Sequence, residues 1–450
     1  MTTTICVRSA GLARNLNGPM SAAILSIGTE ITRGELVNTN AAWLGDRLVE
    51  LGYEPAEHCA VADDRTTIVE TLRRLSARHR VVVVTGGLGP TTDDFTAECA
   101  ATLVGRPLAV HEPSLDAIRR KLERAGRTMS DSNAKQARVP ENAEVLANPV
   151  GTAPGFAVPA GQALVFFLPG VPREMKAMFD EHVVQRVRPL VEPKTAQRRL
   201  RTYGWPESAV GDKLAGVEAA NPGVTIAYRA HVPDVEVKVH ARAENLAEAQ
   251  LLCDRATMEV KARLLEVVYG EDDDSFPAVV GRLLRTRGLG LAIAESCTGG
   301  LVGHLLTSEP GASEYLMADV VCYANAAKTK FCGVEEDLIR AHGAVSEEVV
   351  KALAEGVRRV SGADVALAIT GVAGPTGGSD LKPVGTVFFA VATAHGTTTD
   401  RQLFTGERQR VQRLAAFHGL RLVRDRLEPR VRSTASLPDL SLRREGSVCG

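Results

Sequence analysis

Short apolar runs alternate with amphipathic segments along most of the chain. Between about residues 21 and 190, the runs AAILSIG, VVVVTGG and ALVFFLPG have strand length, and helical patterns such as NTNAAWLGDRLVELG and RTTIVETLRRLSARH lie between them. A further helix is expected from Asp94, and another in PREMKAMFDEHV. Continuous Val-rich strands indicate a sheet that helices cover on both faces. This part of the chain is therefore predicted to be an α/β domain with a mainly parallel sheet.

The same alternation returns after about residue 276. The runs GLGLAIAES, ADVVCYA, ADVALAITG and VGTVFFAVA are predicted strands, and helices are expected over SEEVVKALAEGVRRV and from about Thr298, Asn325 and Glu407. The segment between the two regions differs, because VEVKVHARA alternates like a half-exposed strand and NLAEAQLLCDRATMEVKARLLEVV has a helical period. The pattern predicts an α/β protein with two three-layer α/β domains, whose sheets are mainly parallel, joined by a small α+β connector module.

Domain boundaries follow from these changes of pattern. A chain of 450 residues is long enough for more than one core, since single cores stop growing at roughly 250–300 residues. Met20, just before the first predicted strand, is a candidate start. We expect a disordered extension at 1–20, the first α/β domain at 21–190, the connector with the acidic linker GEDDDSFP at 191–275, the second α/β domain at 276–430 and a disordered tail at 431–450.

Charge and composition limit the partners and the location. The formal net charge is -1 and the sequence pI is about 6.8, so no basic surface favours nucleic acid or an anionic membrane. The apolar runs are too short to span a bilayer, and the first residues lack the continuous apolar core of a signal peptide. The cysteines form no CxxC pair, which is typical of a reduced compartment. We expect a soluble, cytoplasmic protein without membrane or nucleic-acid partners.

Glycine-rich loops follow the predicted strands of the first domain. In open α/β sheets, ligands bind beyond the carboxyl ends of the strands, where glycines let the backbone approach a phosphate. Glu30, Asp93 and Asp94 follow two such strands and could hold a divalent cation through oxygen ligands. The alternative is that the two aspartates only cap the next helix. The loops in question are GTE, TGGLGPTTDD, NPVGTAPG and LPGVPREM.

GTEITRGELVNTN, TGGLGPTTDD, NPVGTAPGF and LPGVPREM together resemble the N-terminal domain of the competence/damage-inducible CinA family, whose fold is shared with molybdopterin-binding proteins. The resemblance covers about residues 22–190 and implies a metal-dependent ADP-ribose pyrophosphatase that uses Mg, Mn or Co. A binding-only role is the alternative, because relatives of the fold bind molybdopterin. The implied substrate contacts are Gly28, Thr29, Asn38, Asn40, Gly86, Gly87, Gly89, Gly151 and Thr152, and the implied metal ligands are Glu30, Asp93 and Asp94.

AESCTGG follows the first predicted strand of the second domain. Ser296 or Thr298 could simply cap the next helix, but a cap does not require Gly299 and Gly300, which expose N–H groups to a phosphate or an oxyanion. Ser296 and Cys297 are then candidate nucleophiles. If Ser296 faces the cleft, strand alternation directs Cys297 elsewhere. A serine also needs a base, and no histidine of this domain has the sequence context of a triad.

Lysine offers the missing base. Lys328 in YANAAK lies one turn into a predicted helix that Asn325 could cap, and a desolvated ammonium loses its proton more readily. A helical lysine is more often a surface charge, as Lys330 illustrates. ITGVAGPTGG is longer and richer in glycine than a turn requires, so it could form a substrate loop with Thr370 near the reacting carbonyl.

AESCTGG, YANAAK, HGAVSEEV and ITGVAGPTGG with KPVGTV closely resemble the CinA C-terminal domain, the nicotinamide mononucleotide (NMN) deamidase family, over about residues 276–428. The resemblance implies that Ser296 is the acylated nucleophile, that Lys328 is its general base, and that no cofactor is needed. Ala324 and Thr376 depart from the family, which commonly has Ser and Gly there. Tyr323 and Thr370 would shape the site, and the implied substrate contacts are Thr298, Gly299, Gly300, Gly371, Gly374 and Arg408.

Together the two resemblances imply a bifunctional hydrolase that salvages pyridine nucleotides. One site would convert NMN to nicotinate mononucleotide and ammonia, and the other would cleave ADP-ribose. The resemblance also suggests a homodimer. The alternative class is a non-enzymatic module that binds a pterin, or serves in competence, and recruits a protein partner.

Overall fold

The structure, a computed structural model, describes residues 20–191 and 193–428. The described residues up to 197, together with 240–253, form one compact unit, and residues 198–239 with 254–428 form a second. The extension predicted at 1–20, apart from Met20, and the tail predicted at 431–450 lie outside the described residues. None of the helices in the described ranges combines the length and the apolar character that crossing a membrane requires.

The first unit alternates strands and helices. Its strands are β1 (Met20–Ile27), β2 (Tyr53–Val61), β3 (Val81–Thr85), β4 (Leu108–Val110), β5 (Arg138–Pro140), β6 (Glu144–Leu146), β7 (Gly155–Ala160) and β8 (Ala163–Leu168). Its helices are α1 (Thr29–Thr32), α2 (Thr39–Glu50), α3 (Arg65–Arg78), α4 (Thr96–Val104), α5 (Glu112–Arg124), α6 (Asp131–Lys135), α7 (Pro172–Met178) and α8 (Val184–Val187), with a π-helical turn at Phe179–Val183 and a 3-10 turn at Arg188–Leu190.

The main sheet of this unit has the order β2-β1-β3-β8-β7-β6. Strands β2, β1, β3 and β8 are parallel, whereas β7 and β6 are antiparallel to their neighbours. Ala22 and Ile24 pack with α2 and α7, while Ala23 and Leu25 pack with α3 and α4 on the opposite face. Because side chains alternate along a strand, a continuously apolar sequence buries both faces of the sheet. The predicted three-layer arrangement is confirmed.

The remaining elements follow in chain order. The strands are β9 (Lys194–Tyr203), β10 (Val224–His231), β11 (Asp234–Ala243), β12 (Val268–Glu271), β13 (Leu291–Glu295), β14 (Leu316–Val321), β15 (Val365–Gly371), β16 (Thr386–Thr393) and β17 (Gly396–Leu403). The helices are α9 (Glu207–Leu214), α10 (Val217–Ala220), α11 (Leu246–Arg263), α12 (Phe276–Arg287), α13 (Leu301–Thr307), α14 (Asn325–Cys332), α15 (Glu336–His342), α16 (Glu347–Ser361) and α17 (Arg408–Leu427), with a 3-10 turn at Ala312–Glu314.

The five-stranded sheet of the second unit has the order β14-β13-β15-β16-β17. Large side chains such as Ile293 and Leu367 face α12, α13 and α17, whereas Ala292 and Ala366 face α14 and α16. Small residues let the two helices on that face pack closely against the sheet and against each other. Strands β10, β11, β9 and β12 form a separate four-stranded sheet in that order.

In both α/β sheets an interior strand leads into a glycine-rich loop. Strand β1 lies between β2 and β3, and β13 lies between β14 and β15, with every one of these pairs parallel. The chain therefore continues to opposite sides of each interior strand, which leaves a crevice at its carboxyl end where ligands bind in such sheets. The loops that the sequence singled out after β1 and β13 lie at these two positions.

Two helix starts and one helix cap differ from the prediction. Helix α4 begins at Thr96 rather than Asp94, and α13 begins at Leu301 rather than Thr298. Helix α14 begins at Asn325 as expected, but its N-cap residue is Ala324, and no side chain caps it. Before α4 and α13 the glycine-rich or polar residues form a turn, which a periodicity argument cannot distinguish from the first helical turn.

Candidate active sites

Ser296 and Lys328 meet beyond the carboxyl end of β13. The Nζ atom of Lys328 lies 3.3 Å from the Oγ atom of Ser296. Both side chains are removed from water, since Ser296 is 8% exposed and Lys328 is 1% exposed. Lys328 reaches the serine from the first turn of α14, whereas Lys330 on the same helix is exposed. The lysine is therefore not the surface charge that its helical position alone would favour.

Two backbone carbonyls orient the Lys328 amine. Its Nζ donates to the carbonyl oxygen of Cys322 at 2.7 Å and to that of Tyr323 at 3.1 Å. Burial lowers the pKa of Lys328, because an ammonium deprived of water is disfavoured. A neutral amine has two N–H bonds and one lone pair. It can give both N–H bonds to these carbonyls and direct the lone pair to the Ser296 hydroxyl, which is the arrangement that proton transfer requires.

The turn between Ser296 and α13 is held by Glu295. Gly299 and Gly300 have φ angles of 67° and 96°, in the left-handed region that glycine tolerates. Oε2 of Glu295 accepts from the Gly300 amide at 2.9 Å, and the Gly299 amide donates to the Ser296 carbonyl at 3.1 Å. Glu295 therefore caps the helix, and neither Ser296 nor Thr298 does. The Gly299 and Gly300 amides predicted to meet a substrate are already used.

Thr298 is the residue of this turn with unused donors. It is 4% exposed, and in the part of the chain that the structure describes neither its hydroxyl oxygen nor its amide has a hydrogen-bond partner. A buried polar group without a partner costs about 1–3 kcal/mol. A substrate oxygen would remove that cost, so Thr298 remains the best candidate of the turn for binding one.

Cys297 lies in the hydrophobic core with side chains of α12, α13 and α17. Burial raises the pKa of its thiol to about 12. Because the thiolate is the nucleophilic form of cysteine, burial and the raised pKa both disfavour Cys297 as a nucleophile. Of the two candidate nucleophiles in AESCTGG, Ser296 is the one beside a base.

The other predicted residues of this site form two groups. Arg408 donates from Nη2 to the Tyr323 hydroxyl at 2.8 Å and from Nη1 to the Gly374 carbonyl at 2.9 Å. Tyr323 is 58% exposed, so this group lies at the surface. Thr370 is buried, and its hydroxyl donates to the carbonyl of Ala344 at 2.9 Å. The hydrogen of the Thr370 hydroxyl is therefore already donated within the protein.

Gly371 and Gly374 differ from one another. A side chain at Gly371 would lie 2.8 Å from the carbonyl oxygen of Thr386, so glycine there permits close pairing of β15 with β16. Gly374 has a φ angle of 83° and offers its carbonyl to Arg408, at the start of the predicted substrate loop. Gly371 has a role in packing, whereas Gly374, itself buried, is joined through its carbonyl to exposed Arg408.

In the first unit, the loop after β3 presents free backbone amides. Gly86 and Gly87 have φ angles of 108° and 65°, and a side chain at Gly86 would overlap the carbonyl oxygen of Ile27. The amides of Gly87, Leu88 and Gly89 have no acceptor among the described residues. Successive free amides form a concave anion-binding nest. Free amides are what a phosphate would need here, and the predicted substrate contacts at Gly86, Gly87 and Gly89 stay a prediction.

The polar side chains near this nest differ in whether their hydrogen-bonding atoms are already used within the protein. Asn40 donates to the Gly170 carbonyl at 2.7 Å and to the Thr85 hydroxyl at 3.2 Å, and its buried Oδ1 has no partner among the described residues. Asn38 caps α2 by accepting from the Ala41 amide at 3.0 Å. The amide and hydroxyl of Thr29 both donate to Oδ2 of Asp63, at 2.8 and 2.9 Å. Only Asn40 therefore has an unused buried atom for a ligand.

Glu30, Asp93 and Asp94 are not assembled into a ligand set. The Glu30 carboxylate lies over Gly28, where a side chain would approach Oε1 to 2.5 Å. Thr91 donates to both aspartates, and this hydrogen bond lowers the pKa of Asp93. In residues 20–191 and 193–428, no three His, Cys, Asp or Glu side chains are grouped as a metal ion needs.

The capping alternative for the two aspartates is also wrong. The N-cap of α4 is Phe95, without a side-chain hydrogen bond to the helix. Asp93 and Asp94 instead stabilise their own loop, and the Asp94 carboxylate lies against Gly89. The residues present do not fit a preformed cation site, and we derive no chemical step through a metal.

A polar cluster under the NPVGTAPG loop was not predicted. Oε2 of Glu174 accepts from the Asn148 side chain at 2.7 Å, and its carboxylate lies so close to Gly151 that it would have to move to admit a side chain there. Nζ of Lys121 donates to the carbonyls of Asn148 and Gly151. Lys121 comes from α5, far away in sequence and without a motif. Thr152 is half-buried, and within the described ranges its side chain makes no hydrogen bond.

Three families match successive parts of the chain. Residues 23–189 match the family described as "Probable molybdopterin binding domain", residues 197–270 match the damage-inducible protein CinA KH domain, and residues 273–427 match the CinA C-terminal domain.

Whole proteins and solved structures are similar to the chain as well. A CinA-like protein from Anaeromyxobacter sp. (strain Fw109-5) is 44% identical over 415 residues, which cover 90% of this chain and 99% of that protein. A CinA-like protein from Geobacter metallireducens is 42% identical over 413 residues, which cover 91% and 99%. The crystal structure of competence damage-inducible protein A (ComA) from Klebsiella pneumoniae is 36% identical, covers 34% of this chain and 94% of that chain, and has a TM-score of 0.33.

Proposed function

The chain belongs to the CinA family, and we propose that its second unit is an NMN deamidase in which Ser296 is the nucleophile and Lys328 the general base. The observation that supports this most directly is the 3.3 Å approach of Lys328 Nζ to Ser296 Oγ in a buried site. A serine is a weak nucleophile unless a neighbouring base accepts its proton. A buried amine with a lowered pKa is such a base.

In the proposed acylation step, neutral Lys328 accepts the hydroxyl proton while Ser296 Oγ attacks the carboxamide carbon of NMN. The C–O bond forms and the carbonyl oxygen becomes an oxyanion, for which the unpaired amide and hydroxyl of Thr298 are the proposed donors. The intermediate collapses with cleavage of the C–N bond. Lys328 returns its proton to the leaving nitrogen, and ammonia departs.

In the proposed deacylation step, water attacks the acyl carbon and Lys328 again accepts the proton. Cleavage of the ester restores the Ser296 hydroxyl and releases nicotinate mononucleotide. The carbonyls of Cys322 and Tyr323 hold the Lys328 amine in one orientation for both steps. The proposal routes no step through a metal or another cofactor.

Arg408 is the proposed phosphate contact. Its guanidinium donates once to the Tyr323 hydroxyl and once to the Gly374 carbonyl. A guanidinium has five N–H donors in a plane, so several remain for phosphate oxygens. The Tyr323 hydroxyl would then orient the arginine, which is a narrower role than the shaping of the reaction centre that the sequence predicted.

For the first unit we propose binding and cleavage of ADP-ribose. The specific support is the run of free amides at Gly87, Leu88 and Gly89, because a diphosphate supplies the acceptors that they lack. Asn40 holds the Gly170 carbonyl beside Gly86 and keeps its Oδ1 free for a ribose hydroxyl. The alternative is a binding-only module for a pterin, or one that recruits a protein partner.

The dyad is tested with Ser296→Ala and Lys328→Met in the full chain. Each should lower the rate of ammonia release from NMN by at least about 10³-fold, because nucleophile and base act as one unit. Lys330→Met is the matched control, since it removes an exposed lysine from the same helix and should leave the rate unchanged. Circular dichroism should show intact folding in all three. Turnover that persists in Ser296→Ala, or that falls equally in Lys330→Met, would contradict the proposal.

A further inference from the structure

Glu295 immediately precedes the proposed nucleophile and is completely buried, at 0% exposure. Its Oε2 accepts from the Gly300 amide and its Oε1 from the Gly303 amide, both at 2.9 Å. In the described part of the chain no cationic side chain pairs with it. Desolvating a carboxylate is costly, and hydrogen bonds to backbone amides offset that cost. Both carboxylate oxygens are thus committed to fixing the backbone that follows Ser296.

The main chain of Glu295 is bonded to the other half of the site. Its carbonyl oxygen accepts from the Cys322 amide at 2.8 Å. The Cys322 carbonyl in turn accepts from Lys328 Nζ at 2.7 Å. One residue therefore fixes the turn that contains Thr298 and also the strand end that orients the base. A displacement of Glu295 would move both relative to Ser296.

Asp319 of β14 holds the Glu295 side chain from a third direction. Asp319 as a whole is exposed, but its carboxyl lies against Glu295 and so close to Gly303 that it would have to move to admit a side chain there. Loss of water around this carboxyl, together with the Glu295 charge, raises the pKa of Asp319 to about 7. Below that pH, Asp319 retains a proton that it can donate to the Glu295 carboxylate.

We propose that Glu295, supported by Asp319, is a positioning residue for the Ser296–Lys328 dyad, and that it holds the Thr298 donors where the oxyanion forms. This inference rests on the deamidase proposed above. Glu295 does not touch the substrate in this scheme. It acts through the amides of Gly300 and Gly303, and a shift of the turn by a fraction of an ångström would misplace the Thr298 amide during the reaction.

Glu295→Gln in the full chain tests the inference. Glutamine keeps the volume but has only one acceptor oxygen, so one of the two amides loses its partner. We expect kcat for NMN deamidation to fall about 10–100-fold, because small misplacements at a reacting centre have effects of this size. KM should stay close to the wild-type value, since the affected contact forms in the transition state. The acid limb of the pH-rate profile should not move, because the carboxylate does not contact Lys328.

The matched control is Ser275→Ala, which removes the hydroxyl that caps α12 in the same unit by accepting from the Ala278 amide at 3.0 Å. Ser275 contacts neither Ser296 nor Lys328, so this variant reports the effect of a lost helix cap on activity. A fall in kcat in Glu295→Gln that is no larger than in Ser275→Ala would overturn the inference. A rise in KM with unchanged kcat would overturn it as well.

Asp319→Ala is a second test of the inference. It leaves the Glu295 carboxylate in place, so it still tests the inference if Glu295→Gln does not fold. We expect a smaller, several-fold fall in kcat at unchanged KM, and an unchanged kcat would count against the inference. Failure of the deamidase proposal has a separate signature. In that case the wild type would release no ammonia from NMN, or Ser296→Ala would remain active.

Discussion

Lys328 can accept a proton only while its amine is neutral. Burial lowers its pKa, so the neutral fraction grows as the pH rises through a range below the usual value for lysine. We predict that kcat/KM for NMN increases with pH through the range in which this lowered pKa lies, and levels off below the pH at which an ordinary lysine becomes neutral. Steady-state ammonia release across this range is the measurement. A rate that is independent of pH, or that falls as the pH rises to 8, would rule out a lysine base.

The raised pKa of Asp319 leads to a prediction about how the stability of the folded protein depends on pH. Its pKa is raised to about 7 in the folded state, so the folded protein binds its proton more tightly than the unfolded chain does. The stabilisation that Asp319 contributes is therefore fully present below the pKa of its carboxyl in the unfolded chain, and it is lost as the pH rises through 7. Above that pH, Asp319 and Glu295 repel each other.

Asp319→Asn removes the repulsion and keeps a donor for Glu295. We expect the variant to be more stable than the wild type at pH 8 by about 1 kcal/mol, a value reduced for solvent screening of this partly exposed side chain. The difference should shrink or reverse at pH 5. Thermal unfolding at the two pH values is the measurement, and an equal effect at both would show that the two carboxyl groups do not interact.

At the residue scale, functional side chains could be predicted best where a single motif contains the reactive residue. Ser296 and Lys328 stand next to distinctive neighbours, and the structure brings them together. Lys121 and Glu174 could not be predicted, because each acquires its role from a segment far away in sequence. Glu30, Asp93 and Asp94 are not grouped as predicted, because a carboxylate can bond its own loop and residue order does not reveal which way it turns.

At the element scale, the contact between α14 and α16 is set by one glycine. A side chain at Gly356 would overlap the carbonyl oxygen of Cys332. Gly356→Ala should therefore destabilise the protein by about 1–3 kcal/mol, although alanine is the better helix former. It should also lower NMN turnover, because α14 contains Lys328.

Gly211 in α9 provides the comparison, since nothing lies within 4 Å of a side chain placed there. Gly211→Ala should stabilise the protein by about 0.5–1 kcal/mol. Chemical denaturation of both variants is the measurement. If Gly356→Ala and Gly211→Ala destabilised the protein to the same extent, the α14–α16 contact would not be the reason why Gly356 is needed.

Strands such as β1 and β3 could be predicted because burial on both faces requires a continuously apolar sequence. The three-residue strands β4, β5 and β6 could not, because so short a segment has no period. Helix α13 starts later than predicted because the Glu295 carboxylate caps it from the strand, and a cap that comes from outside the turn leaves no local signature.

At the scale of the whole molecule, the two proposed sites lie in separate units, so a substitution in one site should leave the activity of the other unchanged. In the full chain, Ser296→Ala should abolish ammonia release from NMN and leave AMP release from ADP-ribose intact. Gly86→Ala should do the reverse, since a side chain there collides with the end of β1. Loss of both activities in either variant would contradict the assignment of one activity to each unit.

The metal requirement is measured in the same assay. The resemblance predicts that AMP release from ADP-ribose needs added Mg, Mn or Co, although the described residues hold no preformed site for a cation. Undiminished cleavage in a chelator would show that no metal takes part. Binding of ADP-ribose without cleavage under any condition would favour the binding-only alternative for the first unit.

The fold class followed from the sequence because alternating strands and helices restrict a chain to a few layered arrangements. Assembly did not follow, and the homodimer stays a prediction. Association depends on surface residues. Met317 and Val321 are exposed apolar residues on the edge strand β14, but exposed apolar residues are common on protein surfaces and do not by themselves identify an interface.

The enclosure of Lys328 also affects its reactivity toward reagents in solution. Acylating and alkylating agents that modify amines will find Lys330 at the surface, while Lys328 has its nitrogen between Ser296 and two carbonyls. Modification of Lys328 must therefore wait until the strand ends around it separate. The ratio of label at these two lysines, read by mass spectrometry, would measure how often this part of the protein opens.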